Sequence, residues 1–161
     1  MRKTTTKEAL ADMTPQESEV RVDRALDMHA RGYNCAQCVA CALADLTDVD
    51  RNTLFRLMEG FGGGMGGFSE TCGALSGGVA VIGYRNSDGE QNPKTKGATY
   101  KLTRALVSEF REANGSTLCP DLKGLRGQPP LRSCDGCIED GVRMTLEVLE
   151  ATKEAGSPAG V

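Results

Sequence analysis

The sequence predicts an all-α fold: a single compact multi-helix domain of about five to six helices, broken by one glycine-rich loop. Three observations predict it. Helix-start signals recur along the chain, at Thr14-Pro15-Gln16-Glu17, at Asn34 and at Asn92-Pro93. Apolar residues recur at three- and four-residue spacing in the segments around Leu102–Phe110 and Ile138–Leu149. The one short apolar run with strand character, Val79 to Ile82, has no convincing partner strand elsewhere in the chain.

Taken in order, Thr14 to Glu17 has capping-box spacing with proline at the first helical position, so a helix should run from there to Arg31, ended by Gly32. Asn34 caps a second helix from Cys35 to about Leu46. Asp48 or Asp50 starts a third, carrying Leu54, Phe55, Leu57 and Met58. The run Gly60-Phe61-Gly62-Gly63-Gly64-Met65-Gly66-Gly67 is too rich in glycine to be a regular element. Ser69 caps a fourth helix through Tyr84, whose Gly73, Gly77 and Val81 form a thin face where another backbone can approach. Asn92-Pro93 opens a fifth, with Gly115 just past its end. Residues 116–133 read as a loop, and a last helix runs from about Asp135 to Lys153. The domain is expected over 13–154, with flexible tails at 1–12 and 155–161.

Composition narrows the function. A chain of 161 residues can bury a core without disulfide staples. The net charge of −3 and pI near 5.3 give no basic field to draw nucleic acid, and aromatic residues make up only 4%. The N-terminal Met1-Arg2-Lys3 carries charge but no apolar run follows, so no secretory signal is expected. No apolar stretch is long enough for a membrane helix, so no membrane insertion is expected and the protein reads as cytoplasmic. There thiols stay reduced, and seven cysteines point to metal or redox chemistry rather than to a disulfide scaffold.

The cysteines fall in three groups. Cys35, Cys38 and Cys41 share the second helix, where their sulfurs spread over roughly 120° instead of converging. Cys38 and Cys41 therefore read as small core residues. Cys35, at the helix N-terminus, and Cys72, near the start of the fourth helix, sit where the macrodipole favours thiolate. Cys119 precedes a proline in a loop, and Cys134-Asp-Gly-Cys137 is a C-x2-C that enters the last helix. That motif serves zinc sites and dithiol oxidoreductases alike. The glycine run lacks the Gly-Lys-Ser/Thr and the preceding strand of a phosphate loop, so its backbone is expected to pass close to a helix or to the sulfur site. His29, the single histidine, reads as a surface or helix-end residue.

These residues together resemble the redox-active family named for its C…CGAxxG…C…C pattern (C_GCAxxG_C_C). The match runs through Gly32-Tyr33-Asn34-Cys35-Ala36-Gln37, Gly60 to Met65, Glu70-Thr71-Cys72-Gly73-Ala74-Leu75-Ser76-Gly77, Cys119-Pro-Asp-Leu-Lys-Gly and Cys137-Ile-Glu-Asp-Gly-Val. The resemblance implies that Cys35, Cys72, Cys119 and Cys137 are the characteristic cysteines, with Cys134 the alternative fourth and Cys38 and Cys41 additional. It also implies a redox role beside a partner oxidoreductase or transporter.

Three functions compete at this stage. The leading one is a four-cysteine iron–sulfur cluster for electron transfer or redox sensing, with backbone amides of Gly62, Gly63, Gly64 and Gly73 stabilising its charge; zinc has the same ligand count, but the four family-matched cysteines are mutually distant rather than paired in knuckles. The second is a metal-free dithiol–disulfide protein, with Cys35 and Cys72 as the more acidic thiols and the late cysteines as resolving partners. The third is a helical adaptor whose small-residue face forms a homodimer interface. No acid/base constellation defines a catalytic reaction.

Overall fold

A computed structural model describes residues 13–154, so the expected tails lie outside the described residues. Within these, the chain forms seven α-helices: α1 Pro15–Ala30, α2 Cys35–Ala42, α3 Arg51–Met58, α4 Gly73–Asn86, α5 Lys96–Asn114, α6 Cys119–Lys123 and α7 Cys134–Glu154. Among the described residues no strand forms, and a single antiparallel bridge joins Thr71 to Leu118. The all-α architecture is thus the observed one, and among the described residues no helix is long and apolar enough to cross a membrane.

The centre of the molecule is α2. Its sequence, Cys-Ala-Gln-Cys-Val-Ala-Cys-Ala, contains no side chain larger than glutamine, and Ala36 to Ala42 are buried on every side. Small residues make this helix thin enough to pack against α1, α3, α4 and α7 at once. Larger buried apolar side chains of the other helices complete the core, among them Leu75, Leu106, Phe110, Ile138 and Leu146. Each contributes about 1.5–3 kcal/mol by leaving water. The closest approach is to α4, as the thin glycine face predicts: a Cβ on Gly77 would stand 2.6 Å from the Ala36 carbonyl oxygen.

The helix starts are fixed locally. Thr14 and Glu17 form the expected capping box at α1, and Asn34 with Gln37 forms a second one at α2. Asp50, not Asp48, caps α3 by accepting from the Thr53 N–H. Gly115 closes α5 in the left-handed conformation, φ 80°.

Four expectations are corrected. The second helix stops at Ala42 and gives way to a 3-10 turn at Ala44–Leu46, because Thr47 bonds back to Ala44 O and turns the chain toward α3. The fourth helix starts at Gly73 and is not capped by Ser69: Cys72 N–H donates to Thr117 O, and Thr71 pairs with Leu118, which holds the intervening backbone extended. Pro93 opens a 3-10 turn, Pro93–Thr95, ahead of α5. Within 116–133 the chain forms the short α6, opened by Pro120 and closed by Gly124, where an added Cβ would meet Gln128 O at 2.6 Å.

Candidate functional site

Five of the seven cysteines line one cavity. Cys35, Cys72, Cys119, Cys134 and Cys137 surround a space of about 240 Å³, together with Phe68, Leu122, Lys123, Arg132 and His29. The sulfurs come from four helices that the sequence separates widely, and the backbone explains how they meet. Cys35 is the first residue of α2, and Cys72 is the N-cap of α4. The two helix starts press together because Gly73 has no Cβ; one would lie 3.1 Å from the Ala36 N. The bridge at Thr71 and Leu118, with Cys119 N–H donating to Glu70 O at 2.8 Å, sets Cys119 beside Cys72. Cys134 and Cys137 lie one turn apart at the start of α7, where Ser133 Oγ accepts from the Gly136 N–H. His29 at the end of α1 contacts Asp135 at 2.6 Å and ties these two helix ends together.

The five thiols are not equivalent. Cys35 and Cys134 are half-buried, while Cys72 (5% exposed), Cys119 (6%) and Cys137 (2%) are buried. They form two hydrogen-bonded pairs. Cys35 S–H donates to the Cys134 sulfur, which draws the Cys134 pKa down to about 5; Lys123 and His29 add to that shift. Lys123 Nζ stands 3.4 Å from Cys134 Sγ and also lies over the Phe68 ring. In the second pair, Cys137 S–H donates to the Cys72 sulfur and lowers the Cys72 pKa, helped by the backbone N–H groups of Ala74 and Leu75 at the N-terminus of α4.

The donors pay the opposite shift. Cys35 and Cys137 rise well above the ordinary thiol range, first because each keeps its proton to donate a hydrogen bond to its partner and then because each is buried. Cys35 is therefore not the acidic thiol its helix position suggests. Two thiols in contact do not ionise together, and Lys123 settles the charge on Cys134. Burial, followed by the charge of Cys72, raises Cys119.

The remaining sequence candidates sort cleanly. Cys38 and Cys41 are fully buried outside the cavity, with their thiols directed at Tyr33 O (3.6 Å) and Arg51 O (3.8 Å). Burial pushes Cys38 up to about 12 and raises Cys41. Gly63 and Gly73 line the cavity. Gly62 instead packs on the Asn34 side chain, and Gly64 on the Cys119 Cβ. The glycine run thus approaches both a helix start and the sulfur site, with Met65 and Phe68 also held at positive φ. No motif marks Lys123 or Phe68, and nothing in the residues around His29 places it at the cavity.

Among the described residues, no three His, Cys, Asp or Glu side chains converge as donors to a single metal ion. The five cysteines instead ring one cavity, with Lys123 at its edge.

Fold and site together define a helical, cysteine-rich protein with five of its seven thiols gathered around one cavity. The chain belongs to the family described as "Putative redox-active protein (C_GCAxxG_C_C)", whose pattern it matches over residues 33–148. It is also similar to an uncharacterized protein of Archaeoglobus fulgidus, at 29% identity over 151 residues, covering 86% of this chain and 99% of the relative. No solved structure matches it.

Proposed function

We propose that this protein is a metal-free dithiol–disulfide redox protein with two thiol pairs, Cys35 with Cys134 and Cys72 with Cys137. The gathering of these four thiols around one cavity, with Lys123 Nζ 3.4 Å from Cys134 Sγ, carries this reading. Each pair is poised for exchange. The thiolate attacks a disulfide sulfur, the neutral partner then attacks the mixed disulfide, and two electrons pass to the substrate. Lys123 keeps Cys134 ionised at neutral pH, while Cys137 and the backbone N–H groups at the start of α4 lower the Cys72 pKa. A redox partner protein in the cytoplasm is the corresponding substrate class. The test is equilibration in thiol–disulfide buffers with counting of free thiols. Reversible two-electron loss is expected in protein without iron; thiols that stay reduced across the whole range would refute the reading.

The cavity ringed by five thiols favours a second reading, an iron–sulfur protein for electron transfer or redox sensing. Cys35, Cys72, Cys119 and Cys137 would hold the cluster, with Cys134 as the alternative fourth ligand, and the bound group would supply one-electron chemistry. The Gly63 and Gly73 backbones lie against that space. Iron and acid-labile sulfide in anaerobically purified protein decide between the two readings.

A further inference from the structure

The two thiol pairs differ in access to solvent. Cys35 and Cys134 are half-buried and lie with Lys123 and the exposed Phe68 around the cavity, whereas Cys72 and Cys137 are buried behind them. Both pairs face the same cavity, and Cys134 and Cys137 are successive turns of one helix. Cys72 and Cys35 stand at helix starts pressed together through Gly73. An external disulfide can reach the first pair, while the second is reached from inside.

We propose that the pairs form an internal relay, in which Cys134 is the thiol that meets the partner's disulfide and the buried Cys72–Cys137 pair receives the oxidation from it. This rests on the reading of both pairs as exchange-active dithiols. In the first stage the Cys134 thiolate attacks a sulfur of the partner's disulfide and releases one partner thiolate. The Cys35 sulfur then attacks Cys134, closes the Cys35–Cys134 bond and releases the second partner sulfur, which takes the proton from Cys35. In the second stage the Cys72 thiolate attacks Cys35 Sγ. The Cys35–Cys134 bond breaks, and its electron pair returns to Cys134 beside Lys123. Cys137 next attacks Cys72, closing Cys72–Cys137, and Cys35 leaves with the proton that Cys137 gives up. The outer pair is restored to thiol and thiolate, and a second partner disulfide can oxidise it again. The chain then holds four electron equivalents of oxidising capacity in two disulfides.

Two features of the site suit this order. Cys134 is the better leaving group in the second stage because Lys123 Nζ, 3.4 Å away, receives its charge. The inner pair is shielded by its burial, which keeps it from direct exchange.

The test is a time course of the reduced full-length protein with oxidised glutathione, quenched in acid, alkylated and mapped by peptide mass. Wild-type protein should show Cys35–Cys134 first and Cys72–Cys137 after a lag. In Cys134→Ser, formation of Cys72–Cys137 should slow at least tenfold. Inner-pair oxidation without a lag in the wild type, or at an unchanged rate in Cys134→Ser, would overturn the relay while leaving the dithiol reading intact. If no disulfide forms in the wild type at all, the dithiol reading fails and takes the relay with it. The wild-type time course stands even if the variant folds poorly.

Discussion

Lys123 Nζ approaches Cys134 Sγ to 3.4 Å, and the same Cys134 sulfur accepts a hydrogen bond from Cys35. A cation and a thiol donor on one sulfur turn that cysteine into a thiolate at neutral pH. The pair, rather than either cysteine alone, is the chemical unit.

The pH dependence of Cys134 follows from this contact. With its pKa lowered to about 5, its alkylation rate should be flat from neutral pH to about pH 6 and fall about tenfold per unit below about 5. Lys123→Met should move the profile upward by about one unit. Mass-resolved alkylation with iodoacetamide measures both. The sign for stability is opposite within the pair. The Cys134 thiolate stabilises the fold fully above the ordinary thiol value of 9.0 and loses this contribution as pH falls toward about 5. Cys35, raised above that ordinary value, costs stability as the pH climbs past it.

Cys38 and Cys41 supply a control. Both are buried away from the cavity, so Cys38→Ala and Cys41→Ala should leave the thiol–disulfide titration of the other cysteines unaltered. Each should cost about 1–2 kcal/mol in urea unfolding, through lost packing. A shift in the redox midpoint of either variant would show that these thiols belong to the site.

Two glycines on α4 separate packing from helix propensity. Gly77→Ala drives a methyl toward the Ala36 carbonyl oxygen, 2.6 Å away, and should destabilise the protein by about 1–3 kcal/mol as α2 and α4 part. Gly83→Ala meets nothing within 4 Å and should stabilise by about 0.5–1 kcal/mol. Thermal unfolding of the two variants distinguishes them.

Asn34 links the helix start to the site. Its side chain accepts from Gln37 N–H and donates to Glu59 O at 2.9 Å, so it holds both α2 and the glycine segment. Asn34→Ala should lose about 1 kcal/mol of capping energy. It should also raise the accessibility of Cys35 to alkylation, whereas Asn34→Asp, which keeps the cap acceptor, should restore most of the stability.

Much of this was legible in the sequence because caps and glycines act locally. Thr14, Asn34 and Gly115 mark helix ends through bonds to residues a turn away, so the sequence alone locates them. Ser69 was misplaced as a cap because the bond that decides the matter comes from Thr117, nearly fifty residues distant. The site follows the same division. The thinness of Gly73 and Gly77 signalled a close helix approach, and the position of Cys38 and Cys41 along α2 signalled packing. Which thiol would carry charge was not legible, since it depends on Lys123 reaching Cys134 across a fold the sequence does not display. Position at a helix start favoured Cys35; the tertiary neighbour favoured Cys134.

The most direct test of the thiol pairs is peptide mass mapping of the protein oxidised to completion against the protein kept reduced without air. Two disulfides are predicted, Cys35–Cys134 and Cys72–Cys137, with Cys38, Cys41 and Cys119 recovered as free thiols. Recovery of all seven cysteines as thiols after oxidation, or a dominant bond between any other two, would contradict the pairing.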